Sequence, residues 1–190
     1  MPTLSAKSHI EFHKKEVSFH STHEKRGVDE IPLTILDSED KILPEVSQIC
    51  RLIARADIIL ATGHLYLKEV KALVHEAGKQ GVKKILINHP EFILNASIDD
   101  MVELANQGAF IEHSYTLTYS KKLTKEYLFE MIRAVGAEHT VIGSDLGQTG
   151  RPYPIDGFRD FIKDMLGMGM KDEEVHYVLR ANPAKLLNLE

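Results

Sequence analysis

Four short apolar runs in this sequence each end on polar groups able to bind a metal or move a proton. The first runs into Thr62-Gly63-His64 and the second into Asn88-His89-Pro90. The third runs into Glu112-His113-Ser114 and the fourth into Gly143-Ser144-Asp145. Neutral imidazole and carboxylate are the ligands that suit a divalent transition metal such as zinc. With one coordination position open, such a metal brings the pKa of water close to neutrality and makes a nucleophile of it. A strand-end carboxylate beside it can take the water proton and return it to a leaving group. Singly, each residue has a plainer explanation: a strand-end histidine bonds to its rim, and an aspartate before a glycine-containing loop caps a helix or makes a turn. Four in register on consecutive runs favour a site.

The other histidines are weaker candidates. The chain has 10 histidines and no tryptophan, and the histidines are dispersed rather than clustered as in a tag. His75 and His176 fall within helical patterns, as surface or packing residues, and His139 precedes the fourth run, at the wrong end of its strand. His9 and His13 have the i, i+4 spacing that can bind a metal from one helix face, but no motif surrounds them. His9 is expected to reach a substrate from a loop. The turn-rich stretch Gly147-Gln148-Thr149-Gly150-Arg151-Pro152-Tyr153-Pro154 either contacts substrate through Gln148 or Arg151 or simply connects.

Positioning these groups requires a repeated strand–helix grammar. The expected strands are Asp57–Thr62, Val82–Ile87, Ala109–Ile111 and Thr140–Gly143. Between them the apolar spacing predicts helices over Leu67–Gln80, Ile98–Gln107 and Lys125–Val135, each closed by a glycine. Continuous apolar runs mark parallel strands buried on both faces. Strand–helix repeats imply right-handed crossovers, so the fold class is α/β, either a TIM-like barrel or a doubly wound sheet. In both, ligands bind at the carboxyl ends of the strands, where these residues lie. Upstream, residues 1–30 read as a long polar loop or lid with at most one short helix. Ile31–Leu36 and Lys41–Leu43 flank Asp37–Asp40 as a β-hairpin, and Pro44 opens an amphipathic helix carrying Val46, Ile49, Cys50 and Ile53. Asn182 then caps a closing helix with Pro183 in its first turn.

Composition narrows the partners. A net charge of −5 without a basic stripe argues against nucleic acid. One cysteine, Cys50, excludes an intrachain disulfide and fits a reducing compartment. No apolar run has membrane-spanning length and the N-terminus lacks a signal-peptide core, so a cytoplasmic location without a membrane partner is expected.

Together the strand ends and the closing Asn182-Pro183-Ala184-Lys185-Leu186-Leu187-Asn188-Leu189 resemble the amidohydrolase superfamily, and within it a branch of amidohydrolase-like cytosolic proteins. The match rests on Ala61–Leu65, Asn88–Pro90, Glu112-His113 and Gly143–Gln148 and spans nearly the whole chain as one domain. The resemblance implies a partial TIM-like barrel made of strands five to eight. It implies that His64 and His89 ligate the metal and that Asp145 is a metal ligand or the general base. Glu112 and His113 have no superfamily-wide ligand role and are assigned to supporting or substrate contacts. The superfamily's first-strand His-x-His pair occurs nowhere in this sequence. Met1-Pro2-Thr3 looks like the tail of the fourth strand, so the chain is expected to be a fragment, the product of a misassigned start or a degenerate relative. An incomplete barrel has open edges, which predicts self-association into a homo-oligomer. The function implied is a metal-dependent hydrolase, with metal-activated water attacking a carbon–nitrogen or ester-type bond of a small molecule. A metal-dependent decarboxylase on the same fold and a non-catalytic relative are the alternatives.

Overall fold

The computed structural model describes residues 1–15 and 31–189; the remainder of the expected lid, with His20 and His23, lies outside the described residues. The protein is α/β, and the chain divides into two compact units, Met1–Ala96 and Ser97–Glu190.

The first unit contains α1 (Lys7–Lys15), α2 (Pro44–Ala56), β1 (Leu60–Ala61), α3 (Leu67–Lys79) and β2 (Ile85–Asn88). Lys7 to Lys15 form the one short helix allowed for in the expected loop, and His9 stands on that helix rather than on a loop. The backbone around Leu33 explains its anchorage: Leu33 N–H donates to Ser5 O at 2.8 Å, and Lys7 N–H donates to Leu33 O at 2.9 Å. This pairing uses the backbone groups that a longer hairpin would need. The expected hairpin is accordingly reduced to its closed end, a single antiparallel bridge between Leu36 and Ile42. Asp37 Oδ1 holds the turn by accepting from the N–H groups of Glu39 and Lys41 at 2.8 and 2.9 Å.

Helix α3 buries Val70, Leu73, Val74 and Ala77, spaced to make one apolar face. Its Glu69 is also buried, and this carboxylate is satisfied by three donors. It accepts from Tyr66 N–H at 2.9 Å, Ile35 N–H at 3.0 Å and the Thr34 hydroxyl at 2.5 Å. The bonds fasten the chain before α2 onto the start of α3. Strands β1 and β2 run parallel, with Leu60 opposite Ile85 and Ala61 opposite Leu86. Both strands are shorter than their apolar runs. β2 alternates buried and half-buried residues instead of being buried throughout.

The second unit contains α4 (Ile98–Asn106), β3 (Phe110–Ser114), α5 (Thr116–Tyr119), α6 (Lys125–Val135), β4 (Thr140–Gly143), α7 (Pro154–Gly167), α8 (Asp172–His176) and α9 (Asn182–Leu186). Ser97 caps α4 by accepting from Asp100 N–H at 3.1 Å. β3 and β4 are parallel over Ile111–Ser114 and Thr140–Gly143. The core gathers Met101, Leu104, Leu128, Met131, Ile132, Phe161 and Met165 around Phe110, Ile111 and Ile142. Asn182 departs from its expected role. It lies inside α9, is buried, and its Nδ2 donates to Ala137 O and Thr140 O, both at 2.7 Å. Its amide ties the closing helix to the entry of β4. Among the described residues no helix is long and apolar enough to cross a membrane.

Candidate functional site

A histidine cluster occupies the carboxyl ends of β1 and β2 in the first unit. The backbone that presents it is cross-tied. Gly63 N–H donates to Asn88 Oδ1 at 3.0 Å, and Asn88 N–H to Thr62 Oγ1 at 3.4 Å. His64 N–H donates to Pro2 O at 3.1 Å, and the Ser8 hydroxyl donates to His64 O. Gly63 has φ +65°, and a Cβ there would lie 2.3 Å from Pro2 O, so only glycine fits. His89 follows β2 directly with φ 27°, a left-handed conformation uncommon for such a residue. Phe92 N–H closes its turn on His89 O at 3.1 Å.

His64 is the middle ring of three. Its Nδ1 is 2.7 Å from Nδ1 of His9, and its Nε2 is 3.2 Å from Nε2 of His89. The two contacts differ in kind. An imidazole nitrogen sits about 1.1 Å from its ring centre, so a straight contact at 2.7 Å would separate centroids by about 4.9 Å. The His9 and His64 centroids are 4.8 Å apart and the rings are inclined by only 15°, so they meet nearly edge to edge, as a hydrogen bond requires. A straight contact at 3.2 Å would give about 5.4 Å. The His64 and His89 centroids are 4.9 Å apart, so that contact is bent. His13, one turn along α1, packs its ring 4.3 Å from that of His9. Phe12 and Phe92 meet edge-on at 5.0 Å and wall the same region.

Burial, followed by the neighbouring His89, His9 and His13, pushes the pKa of His64 down from 6.5 to about 3. The ring is thus neutral at physiological pH, the form in which imidazole ligates a metal. His89 Nδ1 is buried without a hydrogen-bond partner among the described residues.

The second unit carries the remaining candidates. Glu112 and His113 are successive residues of β3, so they project to opposite faces of the strand pair and cannot act as an adjacent couple. His113 is buried, whereas Glu112 is half-buried with Oε1 against the open face of Gly143. The backbone pairing of β3 and β4 continues through Thr116 N–H to Ser144 O at 3.1 Å. Asp145 is the next residue, exposed and with φ 47°. Gln148 is exposed in the following turn, closed by Arg151 N–H to Gln148 O at 3.0 Å. The Arg151 guanidinium lies 5.7 Å from the Tyr119 ring centre. Outside the candidates, Tyr115 donates to Asp164 at 2.7 Å, and burial together with that carboxylate pushes its phenol up.

Residues 1–112 match DUF6282, a family of unknown function. The chain belongs to that family. No curated protein matches the chain. The DUF6282 match takes in His9, His13, His64, His89 and Glu112 and stops before His113, Asp145 and Gln148.

The DUF6282 histidines can be tested against a metal. Among the described residues no group of three or more His, Cys, Asp or Glu is arranged to hold an ion. Within the triad the reason is visible: His64 meets His9 through one edge and His89 through the other, so the three rings cannot converge. Two of them can. Two imidazoles aimed at one ion at about 2.0–2.1 Å, with nitrogens 3.2 Å apart, have centroids about 5.0 Å apart. The observed 4.9 Å fits a two-nitrogen site formed by His64 and His89. His9, expected to reach a substrate from a loop, lies on α1 with its ring against His64.

Proposed function

We propose that the protein is a metal-dependent hydrolase of the amidohydrolase type, built on a partial TIM-like barrel, with His64 and His89 as ligands of a divalent metal such as zinc. The observation that carries this is the bent 3.2 Å Nε2–Nε2 contact between two histidines at the ends of adjacent parallel strands. Support also comes from the His64 ring, held neutral by its surroundings, and from the left-handed backbone at His89. Strain of that sort persists only where surrounding structure imposes it, and it concentrates at functional positions.

When bound, the metal would supply Lewis acidity and lower the pKa of water at its open position towards neutrality. The chain's own residues supply the rest. His64 and His89 would present their Nε2 atoms to it, and Gly63 and Asn88 fix the separation of the two loops by their hydrogen bond. Phe12 packs on His13 and Phe92 on His89, lining one side of the rings. The resemblance gives Asp145 the proton-carrying role, which suits an exposed carboxylate just beyond β4. The substrate is a small molecule with a carbon–nitrogen or ester-type bond.

Titration of the purified chain with zinc chloride tests the reading, followed by assay of an amide, ester and carboxylic-acid panel with and without metal. Metal-dependent release of amine or alcohol is the expected result. Release of carbon dioxide would move the protein to the decarboxylase alternative. Zinc binding no tighter than in a His64→Ala/His89→Ala variant would overturn the metal assignment.

A further inference from the structure

Two nitrogen–nitrogen contacts within hydrogen-bond distance join three rings, the one between His64 and His89 bent and so the weaker, and each is satisfied by one proton and one lone pair. For neutral rings only two arrangements satisfy both contacts. In the first, His89 Nε2–H donates to His64 Nε2, and His64 Nδ1–H donates to His9 Nδ1. In the second, both donations are reversed.

The two differ at both ends, on Nε2 of the half-buried His9 and on His89 Nδ1, and the buried end discriminates between them. The first leaves a lone pair there and the second leaves an N–H. That atom is buried and has no hydrogen-bond partner among the described residues. A buried N–H without an acceptor is rarer and costlier than an unused acceptor. The first arrangement is therefore the stable one.

We infer that His9 is a positioning residue: it accepts the Nδ1–H of His64, holds that ring in one tautomer and keeps the Nε2 lone pair turned towards His89. The edge-to-edge geometry at 2.7 Å and 15° supplies the hydrogen bond. His13, 4.3 Å away on the next turn of α1, backs the His9 ring and limits its rotation. The Ser8 hydroxyl, donating to His64 O, anchors α1 to the residue whose ring His9 holds. A ligating imidazole ordinarily has its other N–H held by an acceptor in this way, which sets the tautomer and orients the ring. This consequence for metal binding rests on the function proposed above, and there the His89 Nε2 proton would have to leave before that nitrogen could ligate; the tautomer of the metal-free chain does not rest on it.

The test uses the full, metal-free chain with 15N-labelled histidine at neutral pH. Long-range proton–nitrogen correlation spectra report which nitrogen of His64 carries the proton. Wild type is expected to show the Nδ1–H form. His9→Phe should give a mixture or the Nε2–H form, and His9→Asn should restore the wild-type spectrum, because its Oδ1 can accept near the former Nδ1. Zinc titrations of the same proteins are the second readout. His9→Phe should weaken binding about 10–100-fold, the usual cost of losing a partner that orients a ligand, and His9→Asn should recover most of it. An Nε2–H tautomer of His64 in wild type would overturn the inference, as would an unchanged tautomer in His9→Phe. If the tautomer shifts as expected while no variant, wild type included, binds zinc, His9 keeps its role and the metal reading fails alone.

Discussion

His9 and His64 come from segments 55 residues apart, yet their Nδ1 atoms lie 2.7 Å from each other in nearly coplanar rings. Such alignment places the lone pair of one ring on the N–H of the other, the strongest arrangement available to two neutral imidazoles. It makes α1 part of the candidate site rather than a cover over it.

Removing either proposed ligand should affect metal binding far more than folding. His64→Ala and His89→Ala are each expected to lower zinc affinity by more than the ~10–100-fold typical of a supporting residue. Isothermal titration with zinc measures the loss, and circular dichroism should show the helical content retained. An unchanged affinity in both variants would sink the two-nitrogen site.

The neutral His64 ring has a consequence for stability. Its pKa is about 3 in the folded chain against 6.5 for the ordinary group, so between these values the unfolded chain binds more protons. Stability from this group is therefore complete above about pH 6.5 and is lost as the pH falls towards 3. Urea unfolding at pH 7, 5 and 4 should show a shallower acid decline for His64→Asn than for wild type. Equal slopes would mean that His64 is charged in the native protein across this range.

Gly63→Ala should destabilise the first unit. The left-handed backbone alone costs a non-glycine residue roughly 1–2 kcal/mol. A methyl group 2.3 Å from Pro2 O adds to that by displacing the bond between His64 N–H and Pro2 O. A lower urea midpoint together with weaker zinc binding is the expected pair of results. A variant as stable as wild type would show that the segment before α1 is not held against this loop.

Asn182→Ala tests the second unit. It removes the side-chain donor from the buried carbonyl of Thr140 and one of two donors from that of Ala137, which keeps the Thr140 N–H, at about 1–3 kcal/mol for a group left unsatisfied. Thermal or denaturant unfolding should register a loss of that order, and Asn182→Asp, which removes the donor and adds a charge, should lose more. No loss in either would mean that the amide is solvated.

Asp145→Asn separates chemistry from structure under the proposed function. Asparagine tolerates the left-handed backbone at this position, φ 47°, so folding should be retained. Turnover should fall about 10²–10⁴-fold, the range of a lost proton-transferring group. Near-normal turnover would assign Asp145 a structural role only.

Much of this protein was determined by its sequence alone. The parallel pairing and the helices over Leu67–Lys79, Ile98–Asn106 and Lys125–Val135 were legible because periodicity, caps and terminating glycines act within a few residues. His64, His89 and Asp145 were placed just beyond strands by the same local logic. The alternation of β3 already separates Glu112 from His113, since a period of two is a property of any strand. Tertiary structure decided the rest. Whether Ile31–Leu36 extends a hairpin depended on a competitor, the Ser5–Lys7 backbone, which took its hydrogen bonds. Asn182 reads locally as a helix cap, but its amide found two carbonyls more than 40 residues away. The docking of His9 on His64 has no local signature. Imidazoles on a polar helix and at a strand end become partners only when the packing of α1 closes the distance, because a hydrogen bond acts over ångströms and not along the chain.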